Sequence, residues 1–308
     1  MQKLKLGINK NQINGWAGTL GMDVYLAALK DSGLFDIYTH EEYIETLRGE
    51  RATVLILEGK RIYLDFWEYP SPTFTGCMPD KKFDLIIKLQ AREMDFGYFN
   101  HVCNRKGVFP NLSEEQRKEF LAKVVPWSFF PSRMIKQFVG EEDQIEQVPI
   151  ERPCFFVGKG WKNRLKIKES LISQGIEYLD SNQELRRGKP IKDEEYIHKM
   201  KSSKYGLVLF GRGSLFSDVK NRREIDYMIL KKPIIMNYKP YYYNPLIPGK
   251  HFILIDEKTE IAKLDSMYNI DEIARNAYQW YLDNASTSGL VKTFLQIANE
   301  KLGIKGEQ

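Results

Sequence analysis

The stretch Gly206-Leu-Val-Leu-Phe-Gly-Arg-Gly-Ser-Leu-Phe-Ser-Asp-Val-Lys-Asn-Arg-Arg-Glu-Ile-Asp-Tyr-Met-Ile-Leu230 decides how the chain is read. It opens on a short, unbroken apolar run, the pattern of a strand buried on both faces. The run stops at Gly211-Arg212-Gly213-Ser214, passes through a polar loop and re-enters a helix near Arg223. Strand, glycine-bearing loop and helix make the βα unit of a parallel sheet, and such sheets bind ligands outside the carboxyl ends of their strands. The loop offers backbone donors, a hydroxyl and cations, which suits a phosphate-bearing ligand. Arg212, Gly213, Ser214 and Arg222 are therefore candidate binding residues. Glu224 falls in the first helical turn, where its carboxylate could accept both hydroxyls of a ribose; a plain helix start also favours glutamate there, through the helix dipole.

Two flanking segments extend the pattern. Upstream, Phe156-Val-Gly-Lys-Gly-Trp-Lys-Asn-Arg-Leu-Lys-Ile-Lys168 reads as a strand end, a loop with two glycines and a basic helix start. Glycines let backbone N–H groups approach a phosphate, and Lys159 and Arg164 could neutralise a diphosphate. A solvated basic turn would look the same, because the spacing is not GxGxxG. Downstream, Lys232-Pro-Ile-Ile-Met leads into a loop rich in tyrosine and proline, then Pro248-Gly-Lys-His-Phe252. Tyr242, in a run of three tyrosines, could stack on a base or sugar, and Lys250 or His251 could face a phosphate. The tyrosines could equally pack the loop against the core.

The surrounding pattern is α/β. Strands are expected at residues 154–157, 177–179, 205–210, 233–237 and 252–255. Helices are expected at 163–173, 193–202, 223–230 and 270–301, the last with a break. Strands that alternate with helices predict a parallel, doubly wound sheet. The first half opens with a strand at 4–8, a loop with Gly15, Gly18 and Gly21, and a helix from Met22 to near Gly33. A hairpin is expected around Glu58-Gly59-Lys60, a buried strand at 83–89, a helix opened by Ser113-Glu-Glu-Gln, and a strand at 124–130. Residues 140–152 are acidic and carry two prolines. They divide the chain into an N-terminal domain, 1–148, and a C-terminal one, 149–308.

Bulk properties agree with two globular domains. The chain has 308 residues, 43% hydrophobic and 28% charged, enough for two cores. A net charge of +5 suits a protein that handles anions without singling out nucleic acid. Cys77, Cys103 and Cys154 form no CxxC pair, so neither a disulfide framework nor a zinc site is expected, and a reducing, cytoplasmic setting is. No run of about 18 apolar residues occurs, so no membrane span is expected, while peripheral association stays open.

Taken together, the three segments resemble the donor-binding half of GT-B glycosyltransferases, and are most similar to exostosin-like and rumi-like sugar transferases. The likeness covers about residues 153–260. It rests on the basic helix start with Arg164, the strand ending in Gly213-Ser214, the Arg-Glu helix opening, Lys232-Pro-Ile-Ile and Pro245-Leu-Ile-Pro-Gly-Lys-His-Phe252. The resemblance implies two Rossmann-like domains facing across a cleft, a C-terminal helix crossing back to the first domain, and a nucleotide-sugar donor held by the C-terminal domain. It implies no essential metal and no cofactor beyond the donor. By position, Arg164 would meet the diphosphate, Glu224 the ribose, and Gly213 and Ser214 the phosphates or sugar. No Asp-x-Asp metal motif stands out, and the first domain matches no one subfamily.

Catalysis in this class is electrostatic stabilisation of a departing nucleoside diphosphate, with the acceptor hydroxyl held in line. An inverting enzyme also needs a base. Asp23, His40, Asp95 and His101 are the first-domain candidates, with Asp23 favoured because it opens the helix after the glycine-rich loop. A retaining enzyme has no such need, and both outcomes stay open. The expected acceptor is a hydroxyl on a glycan or lipid-linked glycan. Two alternatives remain: transfer to a modified base in DNA, for which residues 159–168 and 186–192 supply positive charge, and a non-catalytic nucleotide-binding module. A dinucleotide-dependent oxidoreductase is disfavoured by the missing GxGxxG.

Overall fold

The computed structural model describes residues 3–9, 22–45, 51–65, 83–88, 112–127, 145, 148–158, 165–180, 191–210 and 222–305. The chain divides into two units. The first comprises Met1–Phe130, Tyr241–Tyr243 and Ser286–Gln308; the second comprises Pro131–Pro240 and Asn244–Ala285. The cut expected from sequence, between 148 and 149, lies in a stretch of which few residues are described.

The first unit is built on a mixed sheet of β1 (Leu4–Asn9), β2 (Phe35–His40), β3 (Tyr43–Glu45), β4 (Arg51–Leu57), β5 (Lys60–Asp65), β6 (Leu85–Lys88) and β7 (Val124–Pro126). Six of them run in the order β2-β1-β4-β5-β6-β7, and β3 pairs with β4. β1 and β2 are parallel, as are β5, β6 and β7, while β4 is antiparallel to β1, β3 and β5. A Rossmann-like parallel order is thus interrupted at β4. The cause is local: Leu57 pairs with Lys60, leaving a two-residue turn in which Glu58 (φ 47°) and Gly59 (φ 77°) are both left-handed. That turn matches the strand twist and returns the chain at once.

One side of this sheet is closed by α2 (Glu114–Ala122), whose N-cap Ser113 and Gln116 form a reciprocal capping box. Phe120 of α2 joins Val54, Tyr63, Phe83 and Ile86 in one cluster. A second cluster is aromatic and draws on α1 (Met22–Asp31) and α8 (Thr287–Leu302). Trp127 is 1% exposed. Its ring meets the Tyr25 ring edge-on at 4.4 Å and stacks on Phe294 at 5.6 Å, and Phe294 in turn lies 6.1 Å from Phe35. A buried tryptophan removes roughly 200 Å² from water, about 5 kcal/mol of gross transfer free energy at ~25 cal/mol/Å². The C-terminal helix therefore completes the core of the N-terminal unit.

Every described strand pair of the second unit is parallel. β8 (Phe155–Gly158) pairs with β9 (Glu177–Asp180), and β10 (Gly206–Val208), β11 (Ile234–Met236) and β12 (Ile253–Leu254) pair in sequence. The approaches to β8 and β10 are laced together. Arg152 and Ser203 form a parallel bridge, Lys204 N–H donates to Arg152 C=O at 3.0 Å, and Tyr205 N–H donates to Pro153 C=O at 2.8 Å. The order is then β9-β8-β10-β11-β12, which reverses direction between β8 and β10.

Helices α3 (Leu165–Ser173), α4 (Asp193–Lys201) and α5 (Arg222–Ile229) connect these strands; α6 (Leu264–Met267) and α7 (Ile270–Asn284) follow them. Phe156, Ile167, Leu171, Leu207, Ile235, Ile253 and Ile273 share a core cluster, while Phe155 packs against Tyr196 of α4. Strand alternation sends the two adjacent phenylalanines to opposite faces. Gly206 is dictated by packing: a Cβ there would sit 2.3 Å from the ring of Tyr227 on α5. The expected helix at 270–301 breaks at Ala285, and Ser286 caps α8 by accepting from Gly289 N–H at 3.0 Å.

Candidate functional site

The two edges of the second unit's sheet have different chemistry. Its amino edge is closed by ion pairs that tie elements together: Arg152 to Glu177 at 2.9 Å and Lys199 to Glu177 at 2.5 Å. The carboxyl edge holds a buried polar network instead. Phe210, just past β10, donates its N–H to the Asn237 side-chain oxygen at 2.8 Å. Tyr238, just past β11, donates its hydroxyl to Glu224 Oε2 at 3.0 Å and sets its ring 5.8 Å from that of Phe210. Glu224 is 0% and Tyr238 4% exposed.

Sequence dictates this placement. The apolar triplets of β10 and β11 run out together at the sheet edge, so Phe210, Asn237 and Tyr238 emerge side by side. α5 runs back against the strands, so its first turn, with Glu224, lies over the same edge. A helix start carries unsatisfied N–H groups and a partial positive charge. Arg223 ties this turn towards the other side of the switch point: its guanidinium carbon lies 5.2 Å from the Phe156 ring centre and 5.9 Å from that of Tyr196. Burial raises the Tyr196 hydroxyl above its ordinary range, against the opposing pull of Arg223. Asp226, one turn along α5, is also buried. The amino end of α5 is thus held from two directions at the point where the strand order reverses, which is where open α/β sheets take ligands.

The structure brings Glu224 to this edge. Arg222 opens α5 there by its backbone. Lys159, Arg164, Arg212, Gly213 and Ser214 lie outside the described residues; the chain runs into their segments from Gly158 at the end of β8 and from Phe210. Lys250 is not brought to Glu224. It is exposed and sits in a turn just ahead of β12, where Ile247 C=O accepts from both Lys250 and His251 N–H, and so at the amino edge. His251 is 7% exposed, and burial, helped by nearby Lys250, pushes its pKa down to about 4. Its neutral Nδ1 accepts from Ile247 N–H at 2.9 Å, which leaves the proton on Nε2.

Tyr242 belongs to the first unit and is 3% exposed, so its ring is a packing element. The neighbouring Tyr243 donates its hydroxyl to Glu300 of α8. Asp23 is the second residue of α1. His40 is half-buried at the end of β2 and accepts from Glu42 N–H at 3.1 Å through Nδ1. Asp95 and His101 lie outside the described residues. Sequence reasoning missed Tyr238, Asn237 and Arg223. The available signal was position: Asn237-Tyr238 follows the apolar triplet of β11 directly, and polar residues at a strand's carboxyl end are site candidates. Among the described residues no His, Cys, Asp and Glu side chains group as a metal site. No described helix is long and apolar enough to cross a membrane.

No family model matches the chain, and no curated protein does. Among solved structures, a crystal structure of a glycosyltransferase from Rickettsia africae ESF-5 is similar to 96% of this chain over 84% of its own, at 12% sequence identity and a TM-score of 0.43. A likeness of that grade decides neither fold nor activity, which rest on the site itself.

Proposed function

We propose that this protein is a glycosyltransferase of the GT-B type, related to the exostosin-like and rumi-like enzymes, that moves a sugar from a nucleotide-sugar donor to a hydroxyl acceptor. One arrangement supports the reading: the amino end of α5, with buried Glu224, is pinned over the carboxyl edge of a parallel sheet at its switch point. In this reading Glu224 accepts from the ribose hydroxyls. Arg222, Gly213, Ser214, Lys159, Arg164 and Arg212 meet the phosphates, and the donor needs no metal.

The reaction forms a bond from the acceptor oxygen to the sugar's anomeric carbon and breaks the bond to the diphosphate. Cations and the α5 dipole stabilise the leaving diphosphate. The acceptor, a glycan or lipid-linked glycan, is assigned to the first unit, with Asp23 taking its proton if the enzyme inverts.

The test is a thermal-shift screen of the whole protein against nucleoside diphosphates and nucleotide sugars without added metal. A ligand at about 100 times its Kd stabilises the fold by about 2.7 kcal/mol. A shift with one diphosphate and its sugars, lost in Glu224→Ala, is the expected result. No shift from any of them in a folded sample would sink the proposal. Binding without turnover in the presence of acceptor hydroxyls would move the assignment to a nucleotide-binding module.

A further inference from the structure

We infer that Tyr238 is a positioning residue that sets the Glu224 carboxylate for a ribose, so that the site selects ribonucleotide donors over their 2′-deoxy counterparts. The inference rests on the proposed donor site and adds its selectivity and the residue that imposes it.

The argument starts from the geometry of a carboxylate. On a glutamate the carboxylate plane turns freely about its last torsion unless something holds it. Here the Tyr238 hydroxyl, at 3.0 Å from Oε2, holds it. One fixed oxygen sets the direction of the other. The hydroxyl is itself fixed, because Tyr238 is buried, follows β11 directly, and rests its ring against Phe210 at the end of β10. Phe210 in turn gives its N–H to Asn237, the residue before Tyr238. The orientation of Glu224 is therefore built from the ends of two neighbouring strands, and Arg223 anchors its helix from the other side.

Glu224 has no exposed surface, so water does not compete for its oxygens. An oriented, dry acceptor discriminates strongly: a site built to bond a hydroxyl rejects the analogue that lacks it, since the acceptor is then left unpaired. An acceptor free to turn, or hydrated, discriminates little. A tyrosine that only satisfied a buried carboxylate would affect folding and all nucleotides alike. One that orients it would act on the 2′-hydroxyl alone.

The experiment is calorimetric titration of the full-length protein with ADP, CDP, GDP and UDP and the four 2′-deoxy counterparts, for the wild type, Tyr238→Phe, Glu224→Asp and the double variant. For the diphosphate that binds, the wild type should prefer the ribose form by at least about tenfold. In Tyr238→Phe that ratio should fall to about threefold or less, with the deoxy affinity unchanged within about twofold. Glu224→Asp withdraws the carboxylate from Tyr238 and should lower the ratio as well. The double variant should lose no more than the worse single variant, the signature of two residues acting as one unit.

Equal weakening of ribose and deoxy forms in Tyr238→Phe would overturn the inference, as would additive losses in the double variant. Tight binding with no preference in the wild type would also overturn it while leaving the donor site standing. If none of the eight ligands bound, the donor site would fall and the inference with it. Glu224→Asp carries the test alone should Tyr238→Phe not fold.

Discussion

In the first unit the described core is apolar and aromatic, and Lys88 is its one buried ionisable side chain; in the second, Glu224, Asp226, Lys232 and His251 are all buried in the one stretch from α5 to the approach of β12. The difference follows from what each interior is built of. Trp127, Tyr25, Phe294 and Phe35 fill space by ring contacts and depend on volume. Burying an ionisable group costs free energy unless it is bonded or neutral, so such groups concentrate where the fold has a use for them. The two edges of the second sheet show both solutions. At the carboxyl edge Glu224 keeps a bonded carboxylate, and at the amino edge His251 is held neutral. A buried ionisable residue thus marks a site only together with its position on the sheet.

Substitutions can test that contrast. The largest effect is expected from Trp127→Ala, which empties the centre of the aromatic cluster and should cost about 3–5 kcal/mol. Hydrogen exchange should then show protection lost in β6, β7 and α8; loss confined to the second unit would contradict the assignment of α8 to the first core. Next is Gly206→Ala, whose new Cβ would meet the Tyr227 ring. Overpacking of this kind costs about 1–3 kcal/mol. Gly206→Ala combined with Tyr227→Leu should recover part of it in denaturant titrations, and no recovery would mean that β10, not the ring, resists the change.

Smaller again is a pH effect. The His251 pKa is lowered from 6.5 to about 4 in the folded protein, so between those values the unfolded chain binds a proton that the folded one does not. Stability is complete above about pH 6.5 and falls as the pH drops towards 4. Comparing unfolding midpoints of the wild type and His251→Gln from pH 7 to 4 should show a shallower slope in the variant, and equal slopes would assign the acid sensitivity elsewhere. Smallest is Ser286→Ala, which removes the α8 cap for about 1 kcal/mol. Its thermal midpoint should drop slightly, with hydrogen exchange rising first at residues 287–290.

Local features were legible in the sequence, and non-local ones were not. The Glu58-Gly59 turn and the Ser113 capping box follow from side chains within a few residues of one another. The parallel run of the second unit follows from strands and helices that simply alternate. By contrast, the antiparallel pairing of β1 with β4 joins residues about fifty positions apart, with nothing local to announce it. The break at Ala285 is visible in the polar run around Ser286, but the partners of α8 are not. Lys250 illustrates the same limit. It follows the site segments closely in sequence, yet a parallel connection returns the chain to the opposite edge before β12 begins. Tyr238 could not be recognised as the partner of Glu224 without knowing that α5 and the end of β11 converge.

The contact of Phe294 with Trp127 and Phe35 also has a consequence for synthesis. Trp127 leaves the ribosome long before Phe294 exists. At ~5–20 residues per second the delay is roughly ten to thirty seconds. During it the strands of the first unit lack their last helix, while residues 131–285 emerge and can close their own parallel sheet. The N-terminal part of this chain is therefore the later to finish. Until α8 arrives, an uncovered tryptophan and phenylalanine are what a chaperone or another nascent chain would find.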